Sequence, residues 1–293
     1  MTEPIARGAG RLRAEQITVG YDRTAVSAGL SVTIPDDSFT AIIGPNGCGK
    51  STLLRALARV LAPGDGHVLL DGRDLRRYRT KELARSLGLL PQSSPAPDGI
   101  RVADLVARGR APHMGLIQQW RPADEQAVAT ALAATRLTDL SGRLVDELSG
   151  GQRQRVWIAM LLAQQTSIML LDEPTTFLDI AHQYEVMELL RGFHGGGRTI
   201  VTVLHDLNQA ARYADHLIVM QDGRIVTTGP AEEVITPGLI DDVFGLRCLV
   251  VPDPVTATPS VVPLDPRRPA PEPAAQRVPA TPSDIRAHER SRP

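Results

Sequence analysis

The stretch GPNGCGKST, Gly44 to Thr52, carries the strongest chemical pattern in the chain. In Gly44-x4-Gly49-Lys50-Ser51 the glycines let the backbone wrap so that successive N–H groups face one point, and a helix starting at the loop's end adds its positive pole there. Such a loop cradles phosphates. Lys50 would set a compact charge against β- and γ-phosphate oxygens, and the Ser51 hydroxyl would coordinate Mg²⁺. Only two lysines, Lys50 and Lys81, occur among the 32 basic side chains, the rest being arginine. A guanidinium's planar fork cannot serve as the same point charge, so a lysine kept here agrees with a phosphate ligand. Cys48 sits at a variable position of the loop and has two readings. It is a small filler, or a thiol of lowered pKa at a helix N-terminus that bound nucleotide would protect.

Further along, Asp172-Glu173 ends an apolar run, Ser167 to Leu171, as expected of a strand buried on both faces. Adjacent carboxylates at the C-terminal end of a parallel strand lie where ligands bind. Asp172 suits Mg²⁺, directly or through water, and Glu173 suits polarisation of an attacking water. A solvated loop start is the plainer explanation of two such acids, and the upstream phosphate loop disfavours it. A second glycine turn, Leu148-Ser-Gly-Gly-Gln152, opens an apolar helical pattern from Val156 to Ala163 and is a further anion-binding helix start. His205 follows a third strand pattern, Thr199 to Leu204, and would reach the same sheet edge as a structural or a catalytic imidazole.

These residues need elements to hold them. An apolar strand at Phe39 to Ile43 precedes the loop, and Leu53, Leu54, Leu57, Val60 and Leu61 give a helical pattern after it. Asp-Gly between apolar runs marks hairpins at Val68 to Gly72 and at Leu217 to Val226, both expected in a small antiparallel sheet near the nucleotide base. Val102 to Arg108 and Glu125 to Leu137 read as helices. A chain of 293 residues with 42% hydrophobic content can bury one or two substantial cores, and a net charge of -1 gives no global basic field for nucleic acid. The two cysteines, Cys48 and Cys248, form no CxxC pair, and the N-terminus lacks the apolar core of a secretory signal, which together suit a reducing, cytosolic compartment. No apolar run approaches the roughly 18 residues that span a bilayer, so a membrane role goes through a partner. From Pro252 onward lie 11 of the 23 prolines, with few large apolar side chains after Pro266, and 264–293 reads as a disordered Pro-rich tail.

Taken together, GPNGCGKST, LLPQ, LSGGQRQR, IMLLDEP, the Asp179 of TTFLD and the His205 of VLHD resemble, in the family's order, the ATP-binding subunit of ABC transporters. The resemblance spans about Leu12 to Pro263, and LSGGQ combined with both Walker motifs is highly specific. It implies an α/β fold, the P-loop NTPase ABC ATPase fold: a RecA-like core at about 12–92 and 160–250, an antiparallel β subdomain, and an inserted helical subdomain at about 93–159. It also implies ATP and Mg²⁺ as cofactors and a head-to-tail homodimer, in which one copy's LSGGQ meets the ATP held by the other copy's loop.

Position by position, the resemblance gives Tyr21 as the aromatic that stacks on adenine, where the plain reading is a strand-end tyrosine. Gly44, Pro45, Asn46, Gly47, Cys48, Gly49, Lys50, Ser51 and Thr52 become the phosphate loop, with Lys50 also counted among the catalytic residues. Gln92 becomes the sensor of Mg²⁺ and the attacking water, and a metal-side residue with Ser51 and Asp172. Ser149, Gly150, Gly151 and Gln152 form the signature turn, Glu173 the general base, His205 the γ-phosphate switch, and Asp179 the loop at the dimer interface, with TFLD standing where SALD is familiar. The phrasing VADLVARGRAPH and LLDEPTTFLDIAHQ resembles importers of ferric siderophores, with vitamin B12 and haem importers as close relatives. That implies integral membrane permease subunits docked on Gln92 and 93–113, indirect work with an extracytoplasmic substrate-binding protein, and a peripheral place on the cytoplasmic face of the inner membrane. Soluble ABC ATPases of translation carry two tandem cassettes, and those of DNA repair separate their Walker motifs by a long coiled coil. Here one cassette occurs, with about 120 residues between Lys50 and Asp172 and no sustained heptads.

Overall fold

The computed structural model describes residues 10–21, 24–93, 95–115 and 120–265. Its centre is a six-stranded sheet in the order β10-β9-β3-β8-β7-β6. The strands are β3 (Phe39–Ile43), β6 (Leu87–Leu90), β7 (Ile168–Asp172), β8 (Thr199–Val203), β9 (His216–Gln221) and β10 (Arg224–Gly229). All neighbours pair in parallel except the edge pair β9 and β10. Every residue of β3, β7 and β8 is buried, which is why these strands read as unbroken apolar runs.

The period of two along each strand divides its side chains between two cores. Phe39, Ala41, Ile43, Met169 and Leu171 join the helices of one face, whereas Ile42, Ile168 and Leu170 join the other. That second face is covered by α1 (Lys50–Leu57) and by a four-stranded antiparallel sheet in the order β2-β1-β4-β5. Its strands are β1 (Leu12–Tyr21), β2 (Thr24–Ile34), β4 (Asp65–Leu70) and β5 (Arg73–Asp74).

Between β6 and β7 the chain runs through α3 (Val102–Ala107), α4 (Pro122–Ala134) and α5 (Gly150–Ala163), which pack on one another. The buried Arg110 fastens them: its Nε donates to Asp124 Oδ1 at 2.9 Å and its Nη1 to the Ala163 carbonyl at 2.7 Å. α2 (Thr80–Ser86) lies before β6. After the sheet core come α6 (Ile180–His194), α7 (Leu207–Tyr213), α8 (Ala231–Val234) and α9 (Pro237–Phe244). A hairpin of β11 (Cys248–Pro252) and β12 (Pro259–Pro263) then docks on α7, where Asn208 Oδ1 accepts from the Val261 N–H at 2.7 Å.

Three expectations are corrected. The hairpin at Val68 to Gly72 joins the antiparallel sheet as expected, but Leu217 to Val226 does not: β9 pairs with β3, and its Leu217 to Met220 are buried on both faces. Such a strand cannot sit in a sheet open to solvent. The helix read at Glu125 to Leu137 begins at Pro122, where proline's missing N–H costs nothing, and ends at Ala134 before the left-handed Arg136. α1 stops at Leu57, and Val60 is exposed rather than on its apolar face. Of the expected tail, everything from residue 266 lies outside the described residues.

Candidate functional site

The loop after β3 turns inward because two glycines allow it. Gly44 stands at φ 153°, and a Cβ there would fall 2.1 Å from the Met220 carbonyl oxygen. Gly49 takes the left-handed conformation at φ 103° and leads into α1, whose start carries no side-chain cap. The first amides of α1 are thus left for an external acceptor. Lys50 folds back along this loop, donating from Nζ to the carbonyls of Gly44 and Pro45, each at 2.9 Å. The loop therefore holds the buried ammonium in place.

The residues expected to face a metal follow directly. Ser51 Oγ donates to Asp172 Oδ1 at 2.6 Å across α1 and β7. The other oxygen, Oδ2, is buried with no hydrogen-bond partner, and Arg55 Nη2 lies 3.6 Å from it. Burial pushes the Asp172 carboxyl above its usual range, opposed by the Ser51 hydrogen bond and the Arg55 charge. A hydroxyl beside an under-satisfied carboxylate fits a hard divalent cation that keeps water and phosphate ligands. Among the described residues no group of three or more His, Cys, Asp or Glu could hold a metal ion.

On the other side of the cleft Glu173 is a hub. Its Oε1 meets His205 Nε2 at 2.6 Å, and its Oε2 accepts from Gln92 Nε2 at 2.6 Å and from Thr176 Oγ1 at 3.0 Å. Glu173 itself stands at φ 51°, a left-handed conformation that costs about 1–3 kcal/mol and that clusters at functional sites. A carboxylate so held beside a phosphate-shaped loop can polarise a water.

A cleft of about 840 Å³ opens onto the loop residues Gly44 to Gly47 and Gly49 to Thr52, and onto Gln92, Glu173 and His205. Cys48 lies beneath it. Its thiol is buried, and burial, opposed by the Lys50 charge, pushes its pKa up. The lowered-pKa reading of Cys48 is thereby corrected: burial under Gly44 outweighs the Lys50 charge and the backbone N–H groups at the helix start, and the filler reading stands.

Other expected residues lie elsewhere. Tyr21, at the exposed end of β1, does not line the cleft but accepts a hydrogen bond from Arg55 Nη1 at 3.2 Å. Ser149 and Gln152 cap each other at the start of α5, with Ser149 Oγ accepting from the Gln152 N–H at 3.2 Å and Gln152 Oε1 from the Ser149 N–H at 3.0 Å. Gly150 lines a separate cavity of about 300 Å³ that shares Gln92 and Thr176 with the cleft. Gly151 is buried one residue on in α5. Asp179 caps α6, taking the His182 N–H at 2.9 Å and facing His182 Nδ1 at 2.7 Å. Beside it Phe177 is 94% exposed.

Sequence reasoning missed Arg55, Thr176 and the cleft-lining Val26 and Phe244. Arg55 follows Ser51 by four residues in α1, on the same helix face, a spacing that could have found it. Thr176 closes a turn on Glu173, donating its N–H to the Glu173 carbonyl at 3.2 Å.

A family model described as ABC transporter matches residues 28–176. The ferric enterobactin transport ATP-binding protein FepC of Escherichia coli (strain K12) is 56% identical over 265 residues, which cover 90% of this chain and 96% of FepC. Among solved structures, a chain of an inward-facing transporter described as of metal-chelate ABC type aligns with a TM-score of 0.75 at 29% identity, over 88% of this chain and 98% of that one. The dimeric structure of the bacterial ABC transporter cassette MJ0796 aligns with a TM-score of 0.66 at 25% identity, over 75% of this chain and 98% of that one.

Proposed function

This chain belongs to the ABC transporter family as one of its ATP-binding subunits, and on that premise we propose that it is the ATP-hydrolysing motor of an importer of ferric siderophores. The observation that carries the cargo class is the 56% identity to FepC over 96% of that protein's length. Such agreement along one cassette also disfavours the readings in translation and DNA repair.

In this reading the loop amides and Lys50 bind the β- and γ-phosphates, and the loop carbonyls keep the Lys50 ammonium pointed at them. Ser51 and Asp172, with Gln92 through its amide oxygen, would hold Mg²⁺, which when bound neutralises phosphate charge. Glu173 would accept a proton from a water aimed at the γ-phosphate as that water's oxygen bonds phosphorus and ADP leaves, and His205, on its Oε1, links that carboxylate to the phosphate side. Tyr21 would turn its ring to the adenine. The signature turn, Ser149 to Gln152, does not line the cleft of its own chain, which supports a head-to-tail homodimer whose partner supplies that turn. Asp179 belongs to the same interface.

No helix of the described residues is long and apolar enough to cross a membrane. The motor would therefore act through a separate permease, peripherally on the cytoplasmic face of the inner membrane, with an extracytoplasmic binding protein delivering the cargo. The division into a core at about 12–92 and 160–250 and a helical subdomain at about 93–159 belongs to the same proposal.

The test is uptake of radiolabelled ferric siderophore by cells lacking the gene, complemented with the native chain or with Glu173→Gln. The native chain restores uptake. The variant does not, because it keeps nucleotide binding while turnover drops on the order of 10²–10⁴-fold, the scale of a lost general base. Uptake that never depends on the gene removes the cargo assignment, and near-normal turnover removes Glu173 from its role.

A further inference from the structure

The Glu173 carboxylate receives three donors, and they are not equivalent. Gln92 reaches Oε2 from the exit of β6 at 2.6 Å, and His205 meets Oε1 from the exit of β8 at 2.6 Å. Both are exposed side chains on segments far away in sequence. Thr176 differs. Its hydroxyl donates to Oε2 at 3.0 Å while its own N–H donates to the Glu173 carbonyl at 3.2 Å, so the two residues share one turn. Thr176 is half-buried and faces both the cleft and the neighbouring cavity.

A carboxylate oxygen that already accepts two hydrogen bonds has little capacity left for a water. A general base needs a free acceptor within hydrogen-bond reach of the proton it takes. Departure of Gln92 toward the metal side would free one lone pair of Oε2, but would also remove a donor that fixes the carboxylate's rotation. Thr176 is then the one donor left on that oxygen.

We propose that Thr176 is a positioning residue for ATP hydrolysis: its hydroxyl holds Oε2 of Glu173 in orientation, leaving the second lone pair of that oxygen for the attacking water. The proposal rests on the reading of Glu173 as general base. It assigns Thr176 no contact with nucleotide, so nucleotide affinity is independent of its hydroxyl.

The experiment compares the full-length native chain with Thr176→Val, Thr176→Ser and Glu173→Gln, measuring steady-state phosphate release and equilibrium binding of a fluorescent ATP analogue. Thr176→Val should lower kcat on the order of ten- to a hundredfold, the scale of a lost hydrogen bond to a charged group, with KM and analogue affinity within threefold of native. Thr176→Ser, which keeps the hydroxyl, should stay within about threefold of native kcat. Native turnover by Thr176→Val beside an inactive Glu173→Gln overturns the proposal and leaves the base intact. Native turnover by Glu173→Gln overturns both. Loss of analogue affinity in Thr176→Val, or failure of Thr176→Ser to recover kcat, assigns the hydroxyl to loop structure and also overturns it.

Discussion

Replacing Lys50 with methionine isolates its charge. The side chain is 4% exposed, so methionine keeps most of the buried stem while removing the ammonium. Two of its three donors go to the Gly44 and Pro45 carbonyls, which leaves one for a phosphate oxygen. At a separation of about 4 Å a unit charge pair is worth about 4 kcal/mol at an effective dielectric of 20 and about 1 kcal/mol in water. The cleft is open on one side and lies between these limits, so about 2–3 kcal/mol of binding should vanish, roughly 30- to 150-fold in Kd. The carbonyls lose their donor as well, which costs about 1 kcal/mol each and appears as stability rather than affinity. Lys50→Arg should not restore native affinity, because the fork cannot enter the same small space. Titration of a fluorescent ATP analogue, followed by anisotropy, measures both variants. An unchanged Kd in Lys50→Met, or full recovery in Lys50→Arg, would refute the account of the cradle.

Two further outcomes follow from buried groups. Cys48, buried and with its pKa raised, should resist iodoacetamide at pH 8 equally with and without ATP, while the urea-unfolded chain reacts within minutes; fast single modification of folded Cys48 by intact mass would contradict its placement. The Asp124 carboxyl is pushed up by burial, but the Arg110 hydrogen bond and the Arg121 N–H outweigh this and hold it below the usual range. Its contribution is present above the unfolded carboxyl's pKa of about 3.9 and fades as pH falls through the folded value. Arg110→Met leaves that carboxylate buried and unpaired and should cost about 3–5 kcal/mol at pH 7 by urea denaturation. The gap to native should narrow below about pH 4, where the carboxyl is protonated. A gap under about 1 kcal/mol, or one indifferent to pH, would show the pair to be dispensable.

What the sequence makes legible is what neighbouring residues decide. The strand at Phe39 to Ile43 matches its expected limits because both faces are buried and Gly44 must turn. β7 and β8 lie within one residue of their expected ends for the same reason. The hairpin at Leu217 to Val226 was legible as a hairpin, but its sheet depends on β3, far back in the chain, and no local pattern carries that pairing. Cys48 misled in a similar way. Its place at a helix start is visible in sequence, whereas the direction of its sulfur is set by the packing under Gly44. Arg55 belongs to no motif, and Thr176 lies within TTFLD without a role read for it there; a helix face and a turn bring them to Asp172 and Glu173.

The site is built in two halves of different stiffness. The half proposed to take phosphate and metal rests on β3, β7 and the start of α1: Lys50 and Asp172 are buried, and their contacts run to backbone or to the adjoining helix. The Glu173 half rests on side chains that leave the sheet edge, with Gln92 and His205 exposed and Glu173 itself in a left-handed conformation. Hydrogen bonds at the exposed ends of loops open more readily than those inside a buried sheet. The first half should thus keep its shape whether or not nucleotide is present, while the second can exchange partners. The proposed head-to-tail dimer would use that division, because binding would be available before two copies meet and hydrolysis would wait until they have. Substitutions in the first half should then act on affinity, and those in the second on turnover at nearly constant affinity. The Lys50 and Thr176 variants take one case from each half, so a variant from either that changed both quantities alike would argue that the cleft works as a single unit.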